Sequence, residues 1–401
     1  MTLENPEPDR IDPDRIELGQ GTGPLRGIKV VEIAGIGPGP HACTILADLG
    51  ADVIRVERPG GQLLSGGPTD LLTRGRPSVA LNLKDPAAAQ VILDLVADAD
   101  VLVEGMRPGV AERLGVGPDA CLARNPRLVY GRMTGWGQDG PWSQAAGHDM
   151  NYIAITGTLH GLGQVKEKPQ FPANLVGDFG GGSTYLVIGI LAALLEAKVS
   201  GEGQVVDAAI VDGTAHLNTM LAAFLAGGSF REERASNLLD GGTPFYSVYE
   251  TADGEHMSVG ALEPQFFAAF VELLGIEEQV PGQFELDRFD EMRDLIAARF
   301  KEKTRDEWCA VFDGTDACVA PILKFSEAVD HPHMKAREIL VEKDGIVQPA
   351  PAPRFSRTEA TLGMAPAPKT GAHTRAALTA WGIENVDDLL LQGVAVQAAQ
   401  E

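Results

Sequence analysis

At 401 residues, 44% of them hydrophobic and 22% charged, the chain is longer than a single core organises, so two domains are expected. A formal net charge of −23 excludes a broad nucleic-acid or anionic-membrane surface, both of which need an excess of Lys and Arg; an anionic ligand would have to be held by local basic residues. Four cysteines, Cys43, Cys121, Cys309 and Cys318, none in a C-x-x-C pair, fit neither a disulfide framework nor a zinc ribbon, and a reducing cytoplasm is the expected setting.

Residues 1–23 are acidic, contain prolines and lack an apolar core, which predicts a flexible tail and not a signal peptide. The apolar run Ile28 to Ile33, the Gly-Pro turn Gly35 to Pro40, a helical pattern from His41 to Leu49 and the β-branched run Asp52 to Glu57 together predict a βαβ unit. A helix from Asp85 to about Ala97 follows, then a strand Val101 to Glu104, a short helix after Pro108 and a strand Leu128 to Met133. This alternation predicts an α/β fold: a Rossmann-like large domain with a parallel sheet, over residues 24–215.

Three glycines, Gly180 to Gly182, lead into a helix from Ser183 to Lys198, and Gln204 to Ala208 reads as a further strand. The apolar run Tyr185 to Leu195 is shorter than the ~20 residues a membrane span needs, so it is expected as a buried helix. Residues 216–240 are expected as a linker helix. Gly241, Gly242 and Pro244 mark a change to shorter strands, Phe245 to Glu250 and His256 to Val259, expected in a smaller α+β domain over 241–330. Residues 331–401 read as a linker followed by a C-terminal segment. With one amphipathic helix, Thr374 to Trp381, and no core of its own, that segment is expected to return to the large domain.

Several residue groups carry chemistry. The turn Gly35-Ile36-Gly37-Pro38-Gly39-Pro40 has the wrong spacing for a dinucleotide loop, and Pro38 and Pro40 lack the amides that would cradle a pyrophosphate; it reads as a tight turn before a closely packed helix. The polar cluster Gly147-His148-Asp149-Met150-Asn151-Tyr152 would be structural if His148 stood alone. Asp178, in Gly177-Asp178-Phe179-Gly180-Gly181-Gly182, lies at a second expected loop-to-helix junction, where free amides suit an enolate oxygen or an ionised acid. Glu263 precedes Pro264 at a strand end; it is either a helix-start residue or the carboxylate that orients a histidine. Arg55, Arg58, Arg74, Arg76, Lys84, Arg107 and Arg113 concentrate cations in the first domain, several after strand ends where a phosphate-bearing ligand would bind. There is no G-x-S-x-G, H-E-x-x-H or P-loop motif, and His331-Pro332-His333 reads as a surface loop, so no metal site is expected.

The stretch Gly27 to Ala34, the stretch Leu46 to Glu57, and the motifs Gly147 to Tyr152 and Gly177 to Gly182 resemble CoA-transferase family III from about Pro24 to about Thr358. The paired histidine and aspartate motifs are similar to those of the branch that racemises 2-methylacyl-CoA thioesters. The resemblance implies that His148 and Asp178 are opposed catalytic bases and that Glu263 hydrogen-bonds the histidine, from the partner subunit of an interlocked homodimer. It implies a CoA site lined by Ile36, Arg58, Leu81, Asn82, Leu83, Lys84, Gly105, Met106, Arg107, Arg113, Gly147, His148, Asp149, Met150, Asn151 and Tyr152, with CoA as part of the substrate and no further cofactor. The N-terminal extension and the loop Gly60 to Asp70 depart from the short bacterial pattern. The rival reading is a family III CoA-transferase with Asp178 as acyl nucleophile, which leaves His148 and Glu263 without a task. A silent CoA-binding subunit is the rival from another class.

Overall fold

The computed structural model describes residues 16–61 and 67–399. Residues 1–15 of the expected tail and 62–66 of the Gly60 to Asp70 loop lie outside the described residues.

The β-branched runs form short strands that are buried on both faces: β1 (Lys29–Ile33), β2 (Asp52–Glu57), β3 (Ser78–Leu81), β4 (Val101–Glu104), β5 (Val129–Thr134) and β6 (Gln204–Ala209), the last largely exposed at the sheet edge. They pair in parallel, with Val30 opposite Val53 on one side and Val101 on the other. The order β3-β2-β1-β4-β5-β6 reverses direction between β1 and β4, and ligands of doubly wound sheets bind at the carboxyl ends of strands at such a switch.

Helix α1 (Pro38–Asp48) buries Ala42, Cys43 and Leu46 on one face of the sheet. Helix α2 (Pro86–Val96) buries Val91, Ile92, Leu95 and Val96 on the other, and each such side chain contributes about 1.5–3 kcal/mol. Asp85 caps α2 by accepting from the Ala87 amide at 2.9 Å.

The expected helix Ser183 to Lys198 is Thr184–Ser200, and it continues a π-helix, Leu175–Ser183. The joined stretch Leu175–Ser200 has 26 residues, and an 18-residue window of it has mean hydropathy 1.5, so the helix that contains the short apolar run is long and apolar enough to cross a membrane by length and composition. Within its own unit the helix packs Leu186, Val187, Ile190 and Ala193 against β5 and β6, while Ile188, Leu195 and Val199 on the far side are exposed.

Two compact units divide the chain, one of residues 1–156, 173–217 and 338–401, the other of 157–172 and 218–337. The sequence reading had ended an unbroken large domain at 215 and begun the small one at 241. The structure instead gives 157–172 and 218–240 to the second unit, in whose fold Asn218 Nδ2 donates to Thr158 Oγ1 at 2.8 Å and Arg234 Nη1 donates to the His160 carbonyl at 2.9 Å. That unit has an antiparallel sheet of β7 (Tyr246–Glu250), β8 (His256–Gly260) and β9 (Val319–Pro321) over a core rich in Phe245, Phe270, Phe300 and Trp308.

In the first unit, β10 (Leu340–Lys343) and β11 (Ile346–Pro349) form a hairpin, and β12 (Ala395–Val396) adds antiparallel to β3. The C-terminal segment also covers the open edge of β3. His373 Nδ1 accepts from the Ser78 amide at 3.2 Å, Thr374 Oγ1 accepts from the Ala80 amide at 3.0 Å, and the Gly371 amide donates to Ser78 Oγ at 2.8 Å. Covering an edge in this way satisfies backbone groups that would otherwise invite pairing with another chain.

Candidate functional site

At the switch between β1 and β4, a cavity of about 430 Å³ opens beyond the strand ends. It is lined by the turn Gly35 to Pro40, by Glu104 to Pro108, and by Gly147, His148, Tyr152 and Asp178. His148 and Asp178, far apart in sequence, therefore face one space.

His148 is the N-cap residue of the helix Asp149–Ile155, with extended backbone and an exposed side chain; its amide donates to Asn151 Oδ1 at 3.1 Å. Asp178 lies in the first turn of a helix, at the loop-to-helix junction expected for it, but the turn is a π-helix that begins at Leu175, ahead of the glycines. Its glycines serve packing: a Cβ at Gly177 would overlap the Asp149 carboxylate, and one at Gly181 would overlap Thr214. Insertions of π geometry are uncommon and cluster at functional sites.

Asp149, buried behind the cavity, links the two motifs by accepting from the Asp178 amide at 2.7 Å; its Oδ1 has no hydrogen-bond partner among the described residues. Asn174 Nδ2 donates to Asp178 Oδ2 at 3.2 Å, and a Cβ at Gly37 would stand 3.2 Å from the same oxygen. Burial raises the pKa of Asp178; the Asn174 hydrogen bond opposes that, the Asp149 charge adds to it and His148 counters it. Among the described residues no Lys or Arg forms an ion pair with Asp178. A carboxylate of raised pKa beside an imidazole is suited to holding and releasing a proton.

Tyr152 donates to the Gly147 carbonyl, and burial, aided by the Asp178 charge, pushes its hydroxyl up to about 12, so it stays protonated. Trp136 meets Tyr152 edge to face at 4.7 Å and Trp142 at 4.9 Å, an aromatic wall that the sequence reading did not single out. The G-W-G triplet at Gly135 was its only trace, since a Cβ at Gly135 would overlap the Tyr152 ring.

A second hollow, of about 590 Å³, shares the Ile33, Gly35, Ile36, Gly105 and Met106 walls and carries Arg58, Leu83 and Lys84. A third, of about 730 Å³, continues from Arg58, Leu83 and Lys84 to Asn82, Gly393 and Val396. The hollows share walls, with His148, Asp178 and the exposed Arg107 on the first and the exposed Arg58 and Lys84 on the second and third.

Not every expected residue lines this groove. Leu81 is fully buried in the core, because alternation in β3 points it away from the groove. Arg113, Met150 and Asn151 are exposed and are not among the described residues lining these hollows. Glu263 belongs to the second unit, where it is the N-cap residue of the helix Pro264–Leu274 and forms no side-chain cap.

Arg55 and Arg76 are structural. Arg55 bonds Glu32, and Glu57 at 3.0 Å; Arg76 bonds Glu32 at 2.6 Å; all four side chains are buried. Arg74 pairs with Asp48 at 2.5 Å. Among the described residues no cluster of three or more His, Cys, Asp or Glu side chains could hold a metal.

The chain is 45% identical to the α-methylacyl-CoA racemase of Mus musculus over 92% of its length and 96% of that protein's. It is 43% identical to the α-methylacyl-CoA racemase of Homo sapiens over 89% and 93%. A CAIB/BAIF family protein from Brucella suis has the same fold, with a TM-score of 0.78 at 26% identity over 89% of this chain and all of that one. The model of CoA-transferase family III matches residues 25–374, a span that contains the whole cavity wall, and on that extent the chain belongs to CoA-transferase family III.

Proposed function

We propose that the protein is an isomerase that interconverts (R)- and (S)-2-methylacyl-CoA by 1,1-proton transfer. The observation that carries this reading is that His148 and Asp178 line one cavity, with Asp178 raised by burial and joined to no cation among the described residues. The names of the mouse and human relatives support it.

The α-proton of a thioester is weakly acidic, and inversion needs a base on one face, a donor on the other and stabilisation of the enolate oxygen. In one direction neutral His148 takes the proton, forming imidazolium and enolate, and protonated Asp178 gives its proton to the opposite face. In the other direction Asp178 carboxylate takes the proton and His148 imidazolium returns one. The active states of the pair each hold one proton, so each direction returns the enzyme in the state the other direction uses. The thioester delocalises the charge, so the reading needs no cofactor beyond the CoA carried by the substrate.

The CoA moiety would run along the groove, its phosphates near Arg58 and Lys84 and its pantetheine past Met106 toward the reacting carbon. A homodimer is part of the proposal: the exposed apolar side of Thr184–Ser200, with Ile188, Leu195 and Val199, would be covered by a second copy. Glu263 of the partner subunit would then orient His148. We place the enzyme in the cytoplasm, away from membranes, reading Thr184–Ser200 as a core helix because it packs on β5 and β6.

The test is incubation with (R)-2-methylacyl-CoA in D2O, following α-proton loss by NMR and the S epimer by chiral analysis. Exchange with epimerisation is expected. CoA passing to an added carboxylate without exchange would instead make Asp178 an acyl nucleophile and the protein a transferase.

A further inference from the structure

His41 is not among the described residues lining the cavity, yet it touches the element that carries the base. Its Nδ1 lies 2.6 Å from Ser183 Oγ, at the end of the π-helix, and its ring packs on Phe179 with centroids 4.3 Å apart and planes at 30°. Phe179 is the residue after Asp178. One turn back on α1, the His41 amide bonds the Gly37 carbonyl at 3.1 Å, and Gly37 is the residue that abuts Asp178 Oδ2. A single turn of α1 therefore holds the carboxylate on one side and the following ring on the other.

We propose that His41 is a positioning residue for Asp178, seating the π-turn through Ser183 and Phe179. This rests on the racemase reading. A π-turn is less favourable than an α-turn and needs tertiary contacts to persist. Ser183 Oγ donates to the Phe179 carbonyl at 3.0 Å, and the single hydroxyl proton is then spent, so His41 must donate Nδ1–H to Ser183. Burial lowers the pKa of His41, and the charged groups facing it, Arg74 and Arg76, lower it further, which keeps the ring neutral. Those facing Asp178 are Asp149 and His148, with the protonated Tyr152 beside them. His41 thus acts on Asp178 by placement, with no charge of its own.

The test is the pH profile of kcat/KM for epimerisation in full-length His41→Phe, Ser183→Ala and His41→Gln, with circular dichroism as the folding check. His41→Phe keeps the ring contact and loses the donor; Ser183→Ala cuts the same link from the other side; His41→Gln restores a donor. The first two are expected to lower kcat about fivefold, the size of one hydrogen bond, with KM unchanged. The acid limb, where Asp178 takes up a second proton for the pair, moves to lower pH as its carboxyl gains water, while the basic limb stays. His41→Gln returns the acid limb toward wild type. Folded variants with wild-type kcat and unmoved limbs, or with both limbs and KM shifted together, overturn the inference; if His41→Phe does not fold, Ser183→Ala decides alone. A wild-type enzyme that exchanges no α-proton defeats the racemase reading and is told apart by that control.

Discussion

Two groups of acids stand near the carboxyl ends of the same sheet, and they are held in opposite ways. Glu32 and Glu57 are buried against Arg55 and Arg76, and Glu57 also accepts from Ser78, so each negative charge has a cation in contact. Asp178 and Asp149 are held by an amide side chain and a backbone N–H, with no cation paired to either among the described residues. Paired acids fix the scaffold, because separating them strands a charge. An acid that burial drives toward its neutral form, beside an imidazole, is available for proton transfer.

The largest break in that contrast is at the unpaired end. His148→Ala and Asp178→Ala are each expected to cut α-proton exchange by about 10³-fold, within the range of general acid–base catalysis, with unchanged circular dichroism. Gly177→Ala forces a methyl into the Asp149 carboxylate and displaces Asp178; exchange falls on the order of 100-fold, the cost of misplacing a catalytic group by about 1 Å.

At the paired end, Glu32→Gln leaves two buried guanidinium groups without their shared counter-charge. A loss of about 3–5 kcal/mol in urea unfolding is expected, with exchange per folded molecule retained.

The smallest effect sharpens the comparison. Because the folded-state pKa of Asp178 lies above its unfolded value, the folded state binds the proton more tightly. Stability is therefore lost as pH rises from the ordinary aspartate range through the raised folded value. Asp178→Asn removes that penalty: the variant should melt above wild type at neutral pH, and the difference should vanish below the ordinary aspartate range. An equal difference at both ends would show that ionisation of Asp178 is not the source.

Much of the frame was legible. The βαβ alternation, the glycine turn before α1 and the polar motifs around His148 and Asp178 mark residues with local signals, and the structure places both motifs on one cavity. β3 escaped because Ser78–Leu81 is only four residues long beside a proline, and its pairing is with distant strands. The π-helix escaped because three glycines read as a break; only the packing of Gly181 on Thr214 and of Gly182 on Ile210, with Gly177 on Asp149, explains why small residues are required. Leu81 was assigned to the ligand by position in a motif, while alternation within its strand sends it to the core. The cations divided into Arg58 and Lys84, exposed on the groove, and Arg55 and Arg76, buried in ion pairs although Arg55 also touches the groove wall, a division that depends on where Glu32 and Glu57 are placed by the sheet.

The covering of β3 by the C-terminal segment has a consequence for how the enzyme is made. Ser78 and the Gly371 amide it receives are 293 residues apart. At 5–20 residues per second the ribosome needs roughly 15 to 60 s to supply that partner. During this interval the emerging sheet presents a bare flank, with Asn82 to Lys84 of the groove beside it and Gly393 and Val396 of the groove not yet synthesised. The far end of the groove is thus completed only after translation has passed β12, and chains halted earlier leave the flank of β3 uncovered.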